Sequence, residues 1–314
     1  MSRQILVFGG AHMDRRGRIA GAVVAGASNP GAWLEEPGGG GFNAARNLSR
    51  LGFAVKMMSP RGGDAAGELV AEAALEAGIE DCPFVFLDRR TPSYTAILEN
   101  DGNLIVALAD MELYRLFSPR RLRNRSVRDA FAAADLILCD ANLSADTLAA
   151  IAAWCVAERK PLAAIAISPA KVGHFQGCLA ALDCLFMNEA EAEVLAGGRP
   201  QQPQSWAPLL QTAGLRCGVV TRGKADMIAF DTHQTISLQP PDIDTIGDVT
   251  GAGDALAAGT VAGLLAGRPL TESLRWGAAA AALTVQSPHA VAGNLSSELL
   301  ASILGLVPEA QILA

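Results

Sequence analysis

Residues 248–254 read Asp-Val-Thr-Gly-Ala-Gly-Asp, and the apolar run Ala255–Leu265 follows them directly. The alanine and leucine spacing of this run predicts a helix that begins at the glycines. The first amides of a helix have no partner inside it, and the helix dipole gives them partial positive charge. Glycines at such a start let an anion come close to the amides. We therefore predict an anion hole at Gly251, Ala252 and Gly253.

The carboxylate of Asp254 falls in the first turn of this predicted helix. By position alone it fits two interpretations equally well. An acidic side chain stabilises a helix start, and the same side chain is placed to act on a group bound at the anion hole. Features elsewhere in the chain have to distinguish these roles.

Short apolar runs alternate with longer helical patterns on both sides of this helix, which is typical of strand–helix units around a mainly parallel sheet. The predicted strands are Ile5–Phe8, Val55–Met58, Phe84–Leu87, Leu136–Cys139, Leu162–Ile167, Cys184–Met187 and Cys217–Thr221. The predicted helices are Asn43–Leu51, Ala65–Ala77, Ala145–Glu158, Glu189–Leu195, Gly253–Ala266 and Thr271–Val285. The fold class is therefore α/β.

Two stretches interrupt the alternation, Arg15–Glu36 and Ser93–Leu108. The first has no good helical pattern, and the second reads as two strands around the turn Asn-Asp-Gly-Asn at 100–103. Each follows a core strand, so we expect both to emerge near one sheet edge and to form a small sheet that covers a pocket. We predict one domain over residues 1–314, with a lid from insertions at about 15–36 and 91–110.

Composition excludes several classes of protein. With 25 basic and 32 acidic residues the net charge is −7, which does not favour a nucleic-acid partner. The start of the chain lacks the apolar region of a signal peptide, and no apolar run is long enough to cross a membrane. The six cysteines are scattered without a zinc-type spacing. We expect a cytoplasmic protein in a reducing compartment, with neither a nucleic acid nor a membrane as partner.

A second glycine cluster occupies residues 37–41, directly before the predicted helix at Asn43. Gly39-x-Gly41-x-x-Ala44 formally matches a dinucleotide fingerprint, but it follows Leu-Glu-Glu-Pro and not a buried strand. An NAD-dependent oxidoreductase therefore stays open only as an alternative. The preferred interpretation has the bare backbone and the Asn43 amide approaching the hydroxyls of a substrate.

Asn188 and Glu191 stand one helical turn apart, just after a predicted strand. That spacing puts both oxygens on one helix face at the carboxyl end of a strand, where open α/β sheets bind ligands. A hydrated Mg²⁺ fits such a pair, directly or through water. The P-loop motif and the protein-kinase motifs are absent from the sequence, so any nucleotide is bound in another way.

Taken together, these pieces resemble the ribokinase (PfkB) family of carbohydrate and nucleoside kinases. The glycine cluster running into Asn43–Gly52 is similar to the N-terminal signature of that family, and Thr250–Asp254 is similar to its C-terminal signature. Gly9 with Asp14, and Thr221 with Gly223, extend the likeness over nearly the whole chain. The resemblance implies a three-layer α/β/α domain with a small β-sheet lid, using ATP and Mg²⁺ to phosphorylate an alcohol group.

The resemblance also assigns roles to residues of this sequence. The catalytic group is Asp254, as proton acceptor, with the amides of Gly251, Ala252 and Gly253. The ATP phosphates are expected along Asn188, Thr221, Gly223, Gly251 and Gly253. The substrate is expected at Asp14, Gly39, Gly40, Asn43 and Asn142, with Ser28, Asn29 and Tyr94 near a base. Asp248 matches a residue that helps to hold a monovalent cation, such as K⁺, in some relatives.

Within the family the substrate-side segments are most similar to those of pseudouridine kinases. These segments are 28–31, 93–94, 110–111, 140–144 and 188–193. The resemblance implies transfer to the 5′-hydroxyl of a ribosyl compound, with pseudouridine first, and a homodimer formed through the lid. Ser168 and His174 stand where pseudouridine kinases carry aspartate and lysine. That departure leaves another nucleoside or sugar as an alternative substrate, and a non-catalytic sugar-binding protein is the third interpretation.

Overall fold

The computed structural model describes residues 3–243 and 245–313. In chain order its strands are β1 (Gln4–Phe8), β2 (His12–Ile19), β3 (Gly31–Gly38), β4 (Ala54–Met58), β5 (Pro60–Gly62), β6 (Glu80–Asp81), β7 (Phe84–Phe86), β8 (Ser93–Leu98), β9 (Leu104–Asp110), β10 (Leu136–Asp140), β11 (Leu162–Ile165), β12 (Cys184–Asn188), β13 (Gly218–Arg222), β14 (Ala225–Phe230), β15 (Thr235–Leu238) and β16 (Gln311–Ile312).

The α-helices alternate with these strands over most of the chain. They are α1 (Gly40–Arg50), α2 (Ala65–Glu76), α3 (Arg125–Ala133), α4 (Ala145–Glu158), α5 (Glu189–Ala196), α6 (Trp206–Thr212), α7 (Ala252–Leu265), α8 (Leu270–Val285) and α9 (Ser297–Ile303).

A large sheet has the strand order β16-β15-β14-β13-β12-β11-β10-β1-β4-β6. Its strands from β13 through β1 to β6 run parallel, and β14, β15 and β16 continue it as antiparallel strands. The prediction of a mainly parallel sheet is therefore confirmed. Parallel strands end at one edge, which is where such sheets bind ligands.

The core lies on both faces of this sheet, because alternate strand residues point to opposite sides. Ile5 and Val7 of β1 pack in one apolar cluster with residues of α1, α2, α7 and α8. Leu6 and Phe8 of the same strand pack in the other cluster with residues of α3, α4, α5 and α6. The result is the three-layer α/β/α arrangement that the family resemblance implied.

A separate small sheet has the order β3-β2-β8-β9 and comes from the two stretches that interrupted the alternation. Strand β2 pairs with β3 as antiparallel and with β8 as parallel. The turn at 100–103 joins β8 to β9, with Glu99 N–H bonded to Asn103 O at 2.8 Å. This small sheet lies outside the large one, as expected. The assignment of residues 1–314 to one domain with a lid stays a prediction.

One predicted strand of the large sheet is placed elsewhere. Residues Phe84–Phe86 pair with β5 in a two-stranded sheet instead of extending the large sheet. The large sheet ends at the short strand β6, and Pro83 directly before β7 has no amide to donate to a ladder. The chain therefore turns away from the large sheet at this point.

The cysteines are all free thiols, and most of them are buried. Over residues 3–243 and 245–313, no helix has both the length and the apolar character that crossing a bilayer requires.

Candidate active site

A pocket of about 670 Å³ lies where the parallel strands end beneath the small sheet. Its walls come from the ends of β10, β12 and β13, from the starts of α1 and α7, and from the small sheet. Among the residues predicted for a site, it is lined by Asp14, Gly39, Gly40, Asn43, Tyr94, Asn142, Asn188, Glu191, Thr221, Gly251, Gly253 and Asp254. Tertiary structure thus brings both glycine clusters to one cavity.

Asp140, at the end of β10, holds the first glycine cluster in place. Its side chain is fully buried, and Oδ2 accepts the amides of Gly10 and Gly41, each at 2.8 Å. Oδ1 accepts the amide of Asn142 at 2.9 Å, and the Asn142 side chain donates to Oδ2 at 3.0 Å. A buried carboxylate with several donors is strongly held. Asp140 therefore fixes the turn after β1 and the start of α1 relative to each other.

The start of α1 leaves no room for larger residues beside the pocket. Gly39 has φ +106°, which other residues rarely adopt, and a Cβ at Gly40 would stand 3.1 Å from Asp254 Oδ1. The strand before this helix, β3, belongs to the small sheet. A dinucleotide fingerprint requires a strand of the parallel sheet there. The structure does not support the dinucleotide alternative.

A chain of hydrogen bonds orients Asp254. Asn43 donates its side-chain amide to Asp254 Oδ2 at 2.9 Å, and Arg46 donates to Asn43 Oδ1 at 2.6 Å. Burial raises the pKa of Asp254 to about 7, and the charges of Asp140 and Asp14 add to the rise, whereas the Asn43 bond and Arg46 oppose it. A carboxylate with this pKa is suited to accept a proton near neutral pH.

The residues predicted to form an anion hole lie at the start of α7. Gly251 precedes the helix with φ +78° and Asp254 lies in the first turn. The amide of Ala252 already bonds to Val249 O at 3.3 Å. The amides of Gly251 and Gly253 have no acceptor among the described residues, and both glycines line the pocket. These two amides are the better placed to bind a phosphate oxygen.

On the wall formed by the small sheet, Asp14 belongs to a buried polar chain. His12 Nε2 lies 3.2 Å from Asp14 Oδ1, and His12 Nδ1 lies 2.8 Å from the hydroxyl of Tyr114. Tyr114 is fully buried, and burial followed by the charge of Asp140 raises its pKa well above the usual value. It therefore stays a neutral donor. This arrangement fixes His12 and Asp14 at the pocket wall, with Tyr94 of β8 beside them.

Lys171 reaches the pocket from the loop after β11. Its Nζ donates to Asn142 Oδ1 at 2.6 Å, and burial lowers its pKa. His174 faces away, because its Nδ1 lies within 3.0 Å of the carbonyls of Ala141 and Leu143 and donates to them. Of the two basic residues after β11, Lys171 lines the pocket and His174 does not. The difference from pseudouridine kinases had drawn attention to His174.

Asn188 and Glu191 form a capping box at the start of α5. Asn188 Oδ1 accepts the amide of Glu191 at 3.0 Å, and Glu191 Oε2 accepts the amide of Asn188 at 2.7 Å. Both residues line the pocket, and burial raises the pKa of Glu191. The remaining carboxylate oxygen of Glu191 is compatible with a hydrated Mg²⁺. A role in metal binding stays a prediction.

Asp248 is already engaged on both oxygens. Its Oδ1 accepts the amide of Thr250 at 2.8 Å, and its Oδ2 is paired with Arg16. Burial alone raises its pKa, but the Thr250 bonds and the Arg16 charge bring the net pKa below the usual value. The site therefore does not fit a K⁺ ion in this arrangement, and no step is assigned to one.

Besides Ala252 and Asp248, three more predicted site residues are not among those lining the pocket: Ser28, Asn29 and Gly223. Ser28 is exposed, and the Asn29 side chain closes its own loop by bonding to Val24 and Ala27. Gly223 sits in the tight turn between β13 and β14 with φ +63°. Their roles toward a base and toward ATP stay predictions.

Sequence reasoning gave no individual role to several residues that organise the site. Asp140 could have been found, because it directly follows an apolar strand, at the edge where ligands bind. Arg46 and Lys171 carried no comparable signal. The sequence also gave no sign of a special position at Ile167, which lines the pocket with φ +69°, a conformation that is unfavourable for a β-branched residue.

Comparisons with known proteins agree on one family. The sequence profile described as "pfkB family carbohydrate kinase" matches residues 2–297. The pseudouridine kinase of Escherichia coli K12 is 27% identical over 316 residues, covering 98% of each chain. An uncharacterized sugar kinase of the same strain is 29% identical over 310 residues, covering 96% of this chain and 83% of its own.

Solved structures show the same likeness. A carbohydrate kinase from Agrobacterium tumefaciens is 58% identical, has a TM-score of 0.89 and covers 99% of this chain and 100% of its own. The Arabidopsis thaliana ribokinase, determined with ribose and ATP, is 20% identical with a TM-score of 0.84, covering 97% of this chain and 99% of its own. The second comparison bears on the fold alone.

Proposed function

The chain belongs to the PfkB family of carbohydrate kinases and is a phosphotransferase acting on an alcohol group, and we propose that it phosphorylates the 5′-hydroxyl of a ribosyl nucleoside, with pseudouridine as the first candidate. One observation carries the proposal. A single cavity is lined by Asp14 and Tyr94 of the small sheet, by Lys171, and by Asp254 at the anion hole. A sugar held at Asp14 has room for a base toward Tyr94 and Lys171 and for a hydroxyl toward Asp254.

The mechanism follows from these residues. ATP supplies the phosphoryl group, with its phosphates along Thr221 and the start of α7. Asp254 orients the acceptor hydroxyl and takes its proton, as Asn43 and Arg46 keep the carboxylate in one position. The amides of Gly251 and Gly253 stabilise charge at the transferring group. Glu191, with Asn188, is the side chain suited to hold a hydrated Mg²⁺.

The small sheet acts as a lid in this proposal. Its residues Asp14, Tyr94 and Ala109 form part of the cavity wall, so closing it over a substrate keeps water away from the phosphoryl group. ATP hydrolysis without an acceptor is then slow.

A substrate panel tests the proposal. We expect ATP- and Mg²⁺-dependent phosphorylation with the highest kcat/KM for pseudouridine, compared with uridine, ribose, adenosine and fructose 6-phosphate. Phosphorus NMR of the product places the phosphate on the 5′-oxygen. A higher kcat/KM for ribose or another nucleoside would replace pseudouridine by that compound, in line with the Ser168 departure, and would leave the kinase assignment intact.

Lys171→Met tests whether this side chain recognises a base. Methionine keeps the apolar stem and removes the donor, so we expect kcat/KM for the nucleoside to fall about 10- to 100-fold, the scale for losing a polar contact to a buried group. Ribose has no base and should lose much less. Lys56→Met, which breaks only the surface pair with Glu80 at 2.7 Å, is the matched control. Equal losses for ribose and nucleoside would contradict a role in base recognition.

The lid also supports a homodimer as a proposal. Alternation along the strands puts Asp14 and Tyr94 on the face toward the pocket and Trp33, Val106 and Leu108 on the opposite face. Trp33 is 60% exposed and Leu108 70%. Contiguous apolar side chains on a sheet with open edges are typical of a protein–protein interface. A second copy of this chain is the occupant that we propose.

Leu108→Glu tests the dimer by light scattering after gel filtration. We expect the wild-type chain to elute as a dimer and the variant as a monomer, because each new carboxylate would be buried against its symmetry mate. Val156→Glu is the control, since Val156 is 63% exposed on α4, which packs on the other face of the large sheet. A monomeric wild type, or a dimeric Leu108→Glu variant, would contradict this interface.

A further inference from the structure

Arg16 joins the lid to the loop before the anion hole. It lies on β2, its side chain is 13% exposed, and its guanidinium pairs with Glu36 on β3 and with Asp248 on the loop before α7. Its Nη1 also lies 3.5 Å from the hydroxyl of Thr250. The guanidinium of Arg16, carried on β2, therefore contacts the neighbouring lid strand β3 and the segment that ends in the anion-hole glycines.

This junction is packed from a second side as well. His289 Nδ1 lies 3.2 Å from Glu36 Oε2, so the loop after α8 reaches the same carboxylate. Gly251 is pressed against that loop, because a Cβ there would stand 2.8 Å from the carbonyl carbon of Ala290. Asp248 also lies only three residues before Gly251, so a shift of Asp248 would be passed to the Gly251 backbone.

A monovalent cation beside Asp248 would meet this guanidinium. Two positive charges a few ångströms apart repel each other, and the repulsion is stronger in a partly buried site than in water. The pairing with Arg16 and the bond from Thr250 already engage both carboxylate oxygens. The positive charge that balances the Asp248 carboxylate comes from the chain itself, from Arg16.

We propose that Arg16 is a positioning residue that takes the place of a monovalent cation at Asp248 and couples the lid to the anion hole. Phosphoryl transfer then needs no K⁺, and the guanidinium sets the position of the Gly251 and Gly253 amides. The inference rests on the phosphotransfer of the family and not on the identity of the acceptor. If pseudouridine is not the substrate, the experiments below use whichever member of the panel turns over.

A cation series is the first experiment. At constant ionic strength, we expect wild-type kcat to differ by less than about twofold between KCl, NaCl and tetramethylammonium chloride, because the only remaining effect is screening. The melting temperature should likewise be the same in KCl and NaCl. A several-fold activation by K⁺ would overturn the proposal.

Arg16→Met is the second experiment. Methionine keeps the stem and removes the charge, so we expect kcat to fall about 10- to 100-fold through misplaced amides, with KM for the acceptor changing much less. Arg15→Met is the matched control at the neighbouring position, where the side chain faces the other way and pairs with Glu35 at 3.6 Å. A retained kcat, or a loss confined to KM, would assign Arg16 to the lid alone and overturn the coupling.

A double variant makes the test independent of any general loss of stability. Arg16→Met leaves Asp248 without its charge partner, and Asp248→Asn removes that uncompensated charge. If the two side chains act as a unit, the double variant should be no less active than either single variant. Additive losses in kcat would contradict a shared role.

Discussion

We expect Asp254→Asn to lower kcat about 10²- to 10⁴-fold, the usual contribution of a general base, and to leave substrate binding in place. Asparagine has nearly the same shape and still accepts a hydrogen bond from Asn43, which donates to Asp254 at 2.9 Å. It cannot take a proton from the acceptor hydroxyl. Steady-state kinetics with the best acceptor and a thermal-shift assay for binding measure the two expectations separately.

The pH profile of the wild type gives the same prediction a second readout. Burial raises the pKa of Asp254 to about 7, so the carboxylate is protonated and inactive as a base in acid. We expect log(kcat/KM) to rise with pH through about 7 and then level off. Near wild-type turnover by Asp254→Asn, or a flat profile between pH 5 and 9, would contradict the assignment of Asp254 as the base.

The stability of the wild type should fall with rising pH, opposite to the rise in kcat/KM. The folded pKa of about 7 lies above the usual 3.8, so ionisation of Asp254 opposes folding. Its favourable contribution is complete below pH 3.8 and is lost as the pH rises through 7. Asp254→Asn does not ionise, and we expect its melting temperature to exceed that of the wild type at pH 8 and the gap to narrow as the pH falls toward 3.8.

Asp140→Ala is expected to cause the largest loss of stability. The substitution leaves the buried amides of Gly10, Gly41 and Asn142 without their acceptor, and each unsatisfied buried donor costs about 1 to 3 kcal/mol. The free energy of unfolding should therefore fall by at least about 3 kcal/mol, as measured in urea. Activity should fall as well, because the first glycine cluster loses its anchor.

Asp135→Ala is the control for Asp140→Ala. Asp135 stands directly before β10 and accepts one amide, that of Gln4 at 2.7 Å, at the exposed opposite end of the strand from Asp140. We expect a loss of about 1 kcal/mol or less and unchanged kinetics. Equal losses for the two variants would show that the buried position of Asp140 has no special weight.

Much of the fold could be predicted because its signals are local. The predicted range Ala145–Glu158 is the helix α4 to the residue, and Ser144 caps it by accepting the amide of Thr147. Phe84–Leu87 was assigned to the wrong sheet because strand residues specify extended structure and not the identity of the partner strand.

The candidate site also has features that are encoded locally and features that the sequence does not specify. The glycines at 251 and 253 and the acidic residue in the first turn, Asp254, follow from the sequence alone, because a helix start exposes its amides wherever it is placed. The sequence of Asn188–Glu191 indicated a pair on one face, and the structure shows that the pair caps α5.

By itself, the sequence determined the alternating α/β architecture, the two glycine-lined turns and the family. Only tertiary structure decided how the pocket is charged: Asn43 reaches Asp254 across 211 positions of sequence, and Arg16 reaches Asp248 across 232. The physical reason is that burial and charge pairing depend on distances in space. Burial sets the pKa of Asp254, and the amide of Thr250 and the guanidinium of Arg16 occupy the oxygens of Asp248. Backbone turns and helix starts depend on neighbouring residues, and these are visible along the chain.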